Sequence, residues 1–116
     1  MRLLIVDDDP DQLHFLEKSF ISLDGFDTYS AVNGREALEI YKAHRPFEVV
    51  LSDWQMPLMD GVALVREIRK INPQQHCILQ TSEKGILIPG CPQLHKPYGL
   101  RQLMRLLRLP VQPLLF

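Results

Sequence analysis

Four features of this sequence could do chemistry together: the acidic run Asp7-Asp8-Asp9, a solitary Asp53, the hydroxyl pair Thr81-Ser82, and Lys96. Carboxylates brought together from the first and second of these would repel one another unless a cation lay among them. Mg²⁺ suits such a set, because it prefers oxygen ligands and keeps several waters that a phosphate can replace. A carboxylate beside that metal, with a lysine and a hydroxyl aimed at the same point, is a nucleophile able to accept a phosphoryl group. The metal and Lys96 would neutralise charge growing on the transferred group, and Thr81 would hydrogen-bond one of its oxygens. Each feature alone has a plainer explanation. The acidic triplet before Pro10 could be a solvated helix start. Asp53 could be a loop or cap residue, Thr81 and Ser82 turn formers, and Lys96-Pro97 merely structural. What turns the balance is that all four fall at strand ends.

The elements that would put them there alternate along the chain. Leu3-Leu4-Ile5-Val6 is an unbroken apolar run ending in acids, as in a strand buried on both faces of a parallel sheet. Pro10 opens a helix with Leu13, Leu16 and Phe20 on one stripe. A turn at Asp24-Gly25 leads to a second strand over Phe26–Ser30. Asn33-Gly34 introduces a second helix, with Ala37, Leu38 and Tyr41 inward, stopping before Pro46. Glu48–Ser52 reads as a third strand, and a third helix is expected over Val62–Ile71, ending at Asn72-Pro73. His76–Gln80 and a short segment near Gln93–His95 complete five strands. The last helix, about Tyr98–Leu109, carries Leu100, Leu103, Met104 and Leu107 at helical spacing. Such alternation means right-handed βαβ units and a doubly wound α/β fold, which binds ligands at the carboxyl ends of its strands. The chemically interesting residues sit at that edge.

The sequence resembles response-regulator receiver domains from Arg2 to about Leu109. The run Asp53-Trp54-Gln55-Met56-Pro57-Leu58-Met59-Asp60-Gly61 is the most specific part. Leu4-Ile5-Val6-Asp7-Asp8-Asp9-Pro10, Asn33-Gly34-Arg35-Glu36-Ala37-Leu38, Ile78-Leu79-Gln80-Thr81-Ser82 and Lys96-Pro97-Tyr98 corroborate it. The resemblance implies a five-stranded parallel sheet of flavodoxin-like order 2-1-3-4-5 with helices on both faces, and a domain over 1–109 followed by an apolar tail or interdomain continuation over 110–116. It implies that Asp53 accepts phosphate from a histidine kinase or phosphotransfer domain. Asp8 would ligate Mg²⁺ directly, Asp7 through water, and Asp53 and the Gln55 backbone carbonyl would complete the protein's share. Thr81 would be the switch hydroxyl and Lys96 the phosphate contact, before a cis Pro97. Gln55 and Glu83 match two variable positions that tune phosphoryl lifetime. Such a domain promotes only its own phosphorylation and dephosphorylation, and is expected in the cytoplasm.

Two departures stand out. Residues 82 through 95, 14 in all, separate Thr81 from Lys96. A helix of ~11 residues, a strand of ~5 and two loops need well over ~20. The helix between the fourth and fifth strands is therefore expected to be missing or reduced to a turn, as Pro89, Gly90 and Pro92 also argue. Second, the family's aromatic three residues before the lysine is here Gln93. With Leu106, Leu109 and three arginines, Arg101, Arg105 and Arg108, outside its inward stripe, the last helix becomes the expected output contact, together with the tail. A second copy of the chain or an attached output domain would be the partner. The alternative is that Leu106 packs on the shortened segment between the fourth and fifth strands and the arginines are merely solvated.

Bulk composition narrows the classes. The 116 residues suit one core, and a net charge of -1 gives no global pull toward nucleic acid or anionic lipid. No apolar run approaches the ~20 residues of a membrane span. Cys77 and Cys91 lack metal-site spacing and read as reduced thiols. Two other functions compete with the phosphoacceptor: a receiver-like module that binds a partner regardless of phosphate, and a phosphatase of the haloacid-dehalogenase type built on Asp7 and Asp9. The chain has no room for the latter's cap or later acidic pair.

Overall fold

A computed structural model describes residues 1–82 and 90–107. Expectations about Glu83, Pro89, Arg108, Leu109 and the tail lie outside the described residues. The chain runs β1 (Arg2–Val6), α1 (Pro10–Ile21), β2 (Asp27–Ala31), α2 (Gly34–His44), β3 (Val49–Asp53), α3 (Gly61–Ile71), β4 (His76–Thr81), β5 (Gln93–His95) and α4 (Leu100–Leu107). The strands form one sheet of order β2-β1-β3-β4-β5, and every pairing is parallel. The doubly wound expectation holds, strand order included. Four helices occur among the described residues, and none of them lies between β4 and β5. No described helix is long and apolar enough to cross a membrane.

The period-2 alternation of buried strands divides the core between two faces. Leu4, Val6, Val50, Cys77 and Leu79 pack with Ala37, Tyr41, Leu64 and Ile68 of α2 and α3. Leu3, Ile5, Val49, Leu51 and Ile78 pack with Leu13, Leu16 and Phe20 of α1 and with Leu103 and Leu107 of α4. Because both faces are covered, β1 and β3 read as continuous apolar runs rather than alternating ones.

The helices start where their caps dictate. The Asp9 carboxylate accepts from Asp11 N at 3.0 Å, Asn33 from Glu36 N at 2.8 Å, and Asp60 from Ala63 N at 2.8 Å. Each satisfies a backbone donor that the first helical turn leaves without a partner. Asp60, part of the most specific motif, is thus a cap. Gly61 in the same motif is a matter of space: a Cβ there would stand 2.4 Å from the Asp53 carbonyl oxygen and 2.8 Å from a Leu79 methyl. Its N–H donates to Trp54 O at 2.7 Å. Only glycine lets α3 begin this close to the end of β3, so Gly61 helps fix where Asp53 lies.

Several details differ from expectation. β2 begins at Asp27, and Phe26 instead sets its ring, tilted, 5.1 Å from that of the buried Phe20. α4 begins at Leu100, because Tyr98 is held by a side-chain hydrogen bond to the sheet. Its inward face is also shifted. Leu103 and Leu107 are buried, Leu100 is 42% exposed, and Leu106 packs beside Met104 on the α1-side core. The Leu106 carbonyl lies 2.9 Å from His76 Nε2 on β4, which draws that end of the helix inward. Leu106 is therefore partly buried rather than standing clear of the core, and the arginines Arg101 and Arg105 are exposed.

Candidate functional site

The carboxyl ends of β1, β3, β4 and β5 deliver Asp7, Asp53, Thr81 and Lys96 to one edge. Asp7 is fully buried. One of its carboxylate oxygens accepts from Asp9 N at 2.9 Å; the other accepts from Gln80 Nε2 at 2.9 Å and lies 3.7 Å from Lys96 Nζ. Asp53 is 13% exposed, with Oδ1 3.2 Å from Lys96 Nζ and accepting from Trp54 N at 3.1 Å. Asp8 is exposed, and carboxylate oxygens of Asp7, Asp8 and Asp53 all lie within 4.8 Å of one another. Thr81 is buried as the last residue of β4, and its carbonyl accepts from Lys96 N at 2.8 Å, which sets the height of the lysine. The Lys96–Pro97 peptide is cis. Gln55 lies exposed in the β3–α3 loop, two residues beyond Asp53. Asp9, by contrast, is spent on capping α1.

Three carboxylates against one ammonium leave two uncompensated negative charges when all are ionised. Burial pushes the Asp7 carboxyl up; Asp53 and Asp8 add to this, while the Asp9 N–H and Lys96 oppose it. Burial likewise raises Asp53, against the pull of Lys96. Mutual repulsion is the cause expected from the sequence, whereas desolvation is the larger one. An acid whose folded pKa is raised binds more protons folded than unfolded, so its charge costs stability as pH rises above the unfolded value. For Asp7 that window opens at 3.8. Asp7→Asn removes that charge and also one of the two acceptors that the Asp9 N–H and Gln80 Nε2 use, so the pH dependence isolates the charge. In chelator, the urea midpoint of Asp7→Asn relative to the wild type is expected to rise as pH goes from below that window to neutral. A difference that does not change with pH would show that Asp7 is not destabilising as an anion.

Nothing in the sequence assigns a role to the amide of Gln80. It is fully buried, directly beside Asp53 in the β3–β4 register, and its Oε1 accepts from Tyr98 Oη. The available signal is an amide following the apolar run Cys77-Ile78-Leu79, on the opposite face of β4 from Thr81. A cavity of about 460 Å³ opens beside the site, lined by Gln12, Phe15, Ser82, Lys96, Pro97 and Tyr98.

Residues 3–88 match the response regulator receiver domain family. The chain is 36% identical over 110 residues to the transcriptional regulatory protein PrrA of Mycobacterium tuberculosis, covering 89% of this chain and 46% of that protein. It is 38% identical over 79 residues to the chemotaxis protein CheY of Bacillus subtilis, covering 67% of this chain and 64% of that one. The chain spans about half the length of curated relatives such as PrrA. Among solved structures, the receiver domain of the Francisella response regulator 1452 superposes with a TM-score of 0.80 at 28% identity, covering 90% of this chain and 92% of that one. The CheX–CheY–BeF3–Mg²⁺ complex of Borrelia burgdorferi gives a TM-score of 0.82 at 26% identity, covering 91% and 85%. With the sheet order, the acidic cluster and Lys96 all in agreement, the chain belongs to the response regulator receiver domain family of two-component signalling.

Proposed function

We propose that this domain takes a phosphoryl group on Asp53 from the phosphohistidine of a histidine kinase or phosphotransfer domain, in a Mg²⁺-dependent reaction, and thereby regulates an attached or separate partner. The observation that carries this is the placement of Asp53 Oδ1 3.2 Å from Lys96 Nζ within the acidic cluster. The donor set is all carboxylate oxygen, which fits a hard dication and offers nothing soft to a thiophilic one. Asp8 and Asp53 would hold the ion directly, Asp7 through water, and the Gln55 carbonyl would add a further ligand. When bound it supplies positive charge against the developing phosphoryl oxygens. Asp53 acts as nucleophile: an oxygen–phosphorus bond forms as the phosphorus–nitrogen bond of the donor breaks. Lys96 holds one phosphoryl oxygen and Thr81 donates to another. The fold shared with a CheY solved with BeF3 and Mg²⁺ supports the same reading.

A second reading, a partner-binding module indifferent to phosphate, draws on the 14 residues between Thr81 and Lys96 and on Gln93 in place of the family's aromatic. Acetyl phosphate with Mg²⁺, followed by intact mass, tests the first reading. One added phosphoryl group, labile to hydroxylamine as an acyl phosphate should be, is the expected result; unchanged mass defeats it. A generic phosphate ester should not be turned over, since the domain acts only on its own carboxylate.

A further inference from the structure

The buried amide beside the acidic cluster has a fixed direction. The Asp7 carboxylate can only accept, so Gln80 must turn its NH₂ toward it, at 2.9 Å. That leaves Gln80 Oε1 facing Tyr98, whose hydroxyl must then donate. Burial pushes that hydroxyl up to about 12, so it keeps its proton at any working pH. Asp7 and Gln80 are both fully buried, which makes each of these bonds costly to lose. Tyr98 lies two residues beyond Lys96, in the loop that leads into α4. One loop thus grips the cluster twice, through Lys96 at Asp53 and through Tyr98 and Gln80 at Asp7.

We infer that Gln80 and Tyr98 form a positioning relay for the metal-holding carboxylates, the amide of Gln80 fixing Asp7 and the hydroxyl of Tyr98 fixing the amide. The relay rests on the functional reading above, because it serves the same site. It ties the acidic cluster to the start of α4 by a route that passes through neither Thr81 nor Gln93. Partners that orient a ligand from behind change metal affinity by roughly 10–100-fold when removed. Gln80→Met keeps the length and buried volume of the side chain and removes both hydrogen bonds. Tyr98→Phe removes only the last one.

The test is a Mg²⁺ titration of the full chain, followed by the fluorescence of Trp54, the one tryptophan, which adjoins Asp53. Urea unfolding in chelator runs in parallel, to separate affinity from stability. Gln80→Met should weaken Mg²⁺ about 10-fold, and Tyr98→Phe should weaken it less. The double variant should bind no more weakly than Gln80→Met, since Tyr98 acts through the amide; independent positions would multiply their losses. A folded Gln80→Met with unchanged Mg²⁺ affinity, whatever its stability, overturns the relay, and so do multiplicative losses. Should Gln80→Met not fold, Tyr98→Phe decides, and unchanged affinity overturns the relay. A wild-type chain that binds no Mg²⁺ overturns the functional reading and the relay together, whereas failure confined to the variants overturns the relay alone.

Discussion

Asp53→Asn is expected to abolish phosphoryl incorporation from acetyl phosphate, with a loss in rate on the order of 10³-fold or more. The substitution is nearly isosteric and replaces a carboxylate nucleophile with an amide that has almost none of its nucleophilicity. It should not unfold the domain. The oxygen of the introduced amide can still accept from the Trp54 N–H that Asp53 engages at 3.1 Å, and the charge removed is one that burial disfavours. The wild type and the variant should therefore share a circular dichroism spectrum and differ in intact mass after the reaction. Lys96 supplies an internal comparison, since it lies 3.2 Å from Asp53 and 3.7 Å from Asp7. Lys96→Ala should slow labelling without moving its site, because the nucleophile remains. Equal labelling of the wild type and Asp53→Asn would transfer the acceptor role to another carboxylate, with the exposed Asp8 the first to examine.

The strands and the strand-end residues are legible because parallel sheets buried on both faces write themselves as short apolar runs, and those runs end where the polar residues begin. The order of the sheet comes from the family resemblance, and the pairings bear it out. Caps are partly legible. Asn33 and Asp60 precede helices and hold them, but nothing in their spacing separates a cap from a ligand, and only the contact with Ala63 N settles the position of Asp60. The cysteines read correctly as free thiols; Cys77 and Cys91 are both buried, and burial pushes them to about 12 and about 11. The last helix misleads for a physical reason. Helical periodicity assigns an inward face only when the helix axis and start are known, and here the Tyr98 hydrogen bond delays the start while His76 draws the Leu106 end inward. The Gln80–Tyr98 pair is invisible for a different reason: the residues are 18 apart, and a lone glutamine in a strand carries no sign of what it faces.

The acidic triplet divides its labour, and substitutions at Asp8 and Asp9 should separate the two functions in opposite directions. Asp8 is exposed and contributes an oxygen to the cluster with Asp7 and Asp53. Asp9 instead caps α1 through Asp11 N at 3.0 Å. Asp8→Ala should therefore remove most of the Mg²⁺ affinity, since the ion keeps Asp53 but loses the one exposed acid of the cluster. Its stability in chelator should hold or rise slightly, because a repelling charge has gone. Asp9→Ala should leave Mg²⁺ affinity within a few-fold of the wild type and lower stability by about 1 kcal/mol, the usual cost of losing an N-cap. Isothermal titration with Mg²⁺ reads the first quantity and urea unfolding in chelator the second. Affinity should also fall as pH falls in the wild type. Asp7 and Asp53 are raised acids that protonate sooner than exposed ones as pH drops, and a protonated carboxyl no longer offers the ion a charge. If Asp9→Ala proves the more damaging to Mg²⁺ binding, the register of the triplet is off by one, and Asp8 must take over the cap.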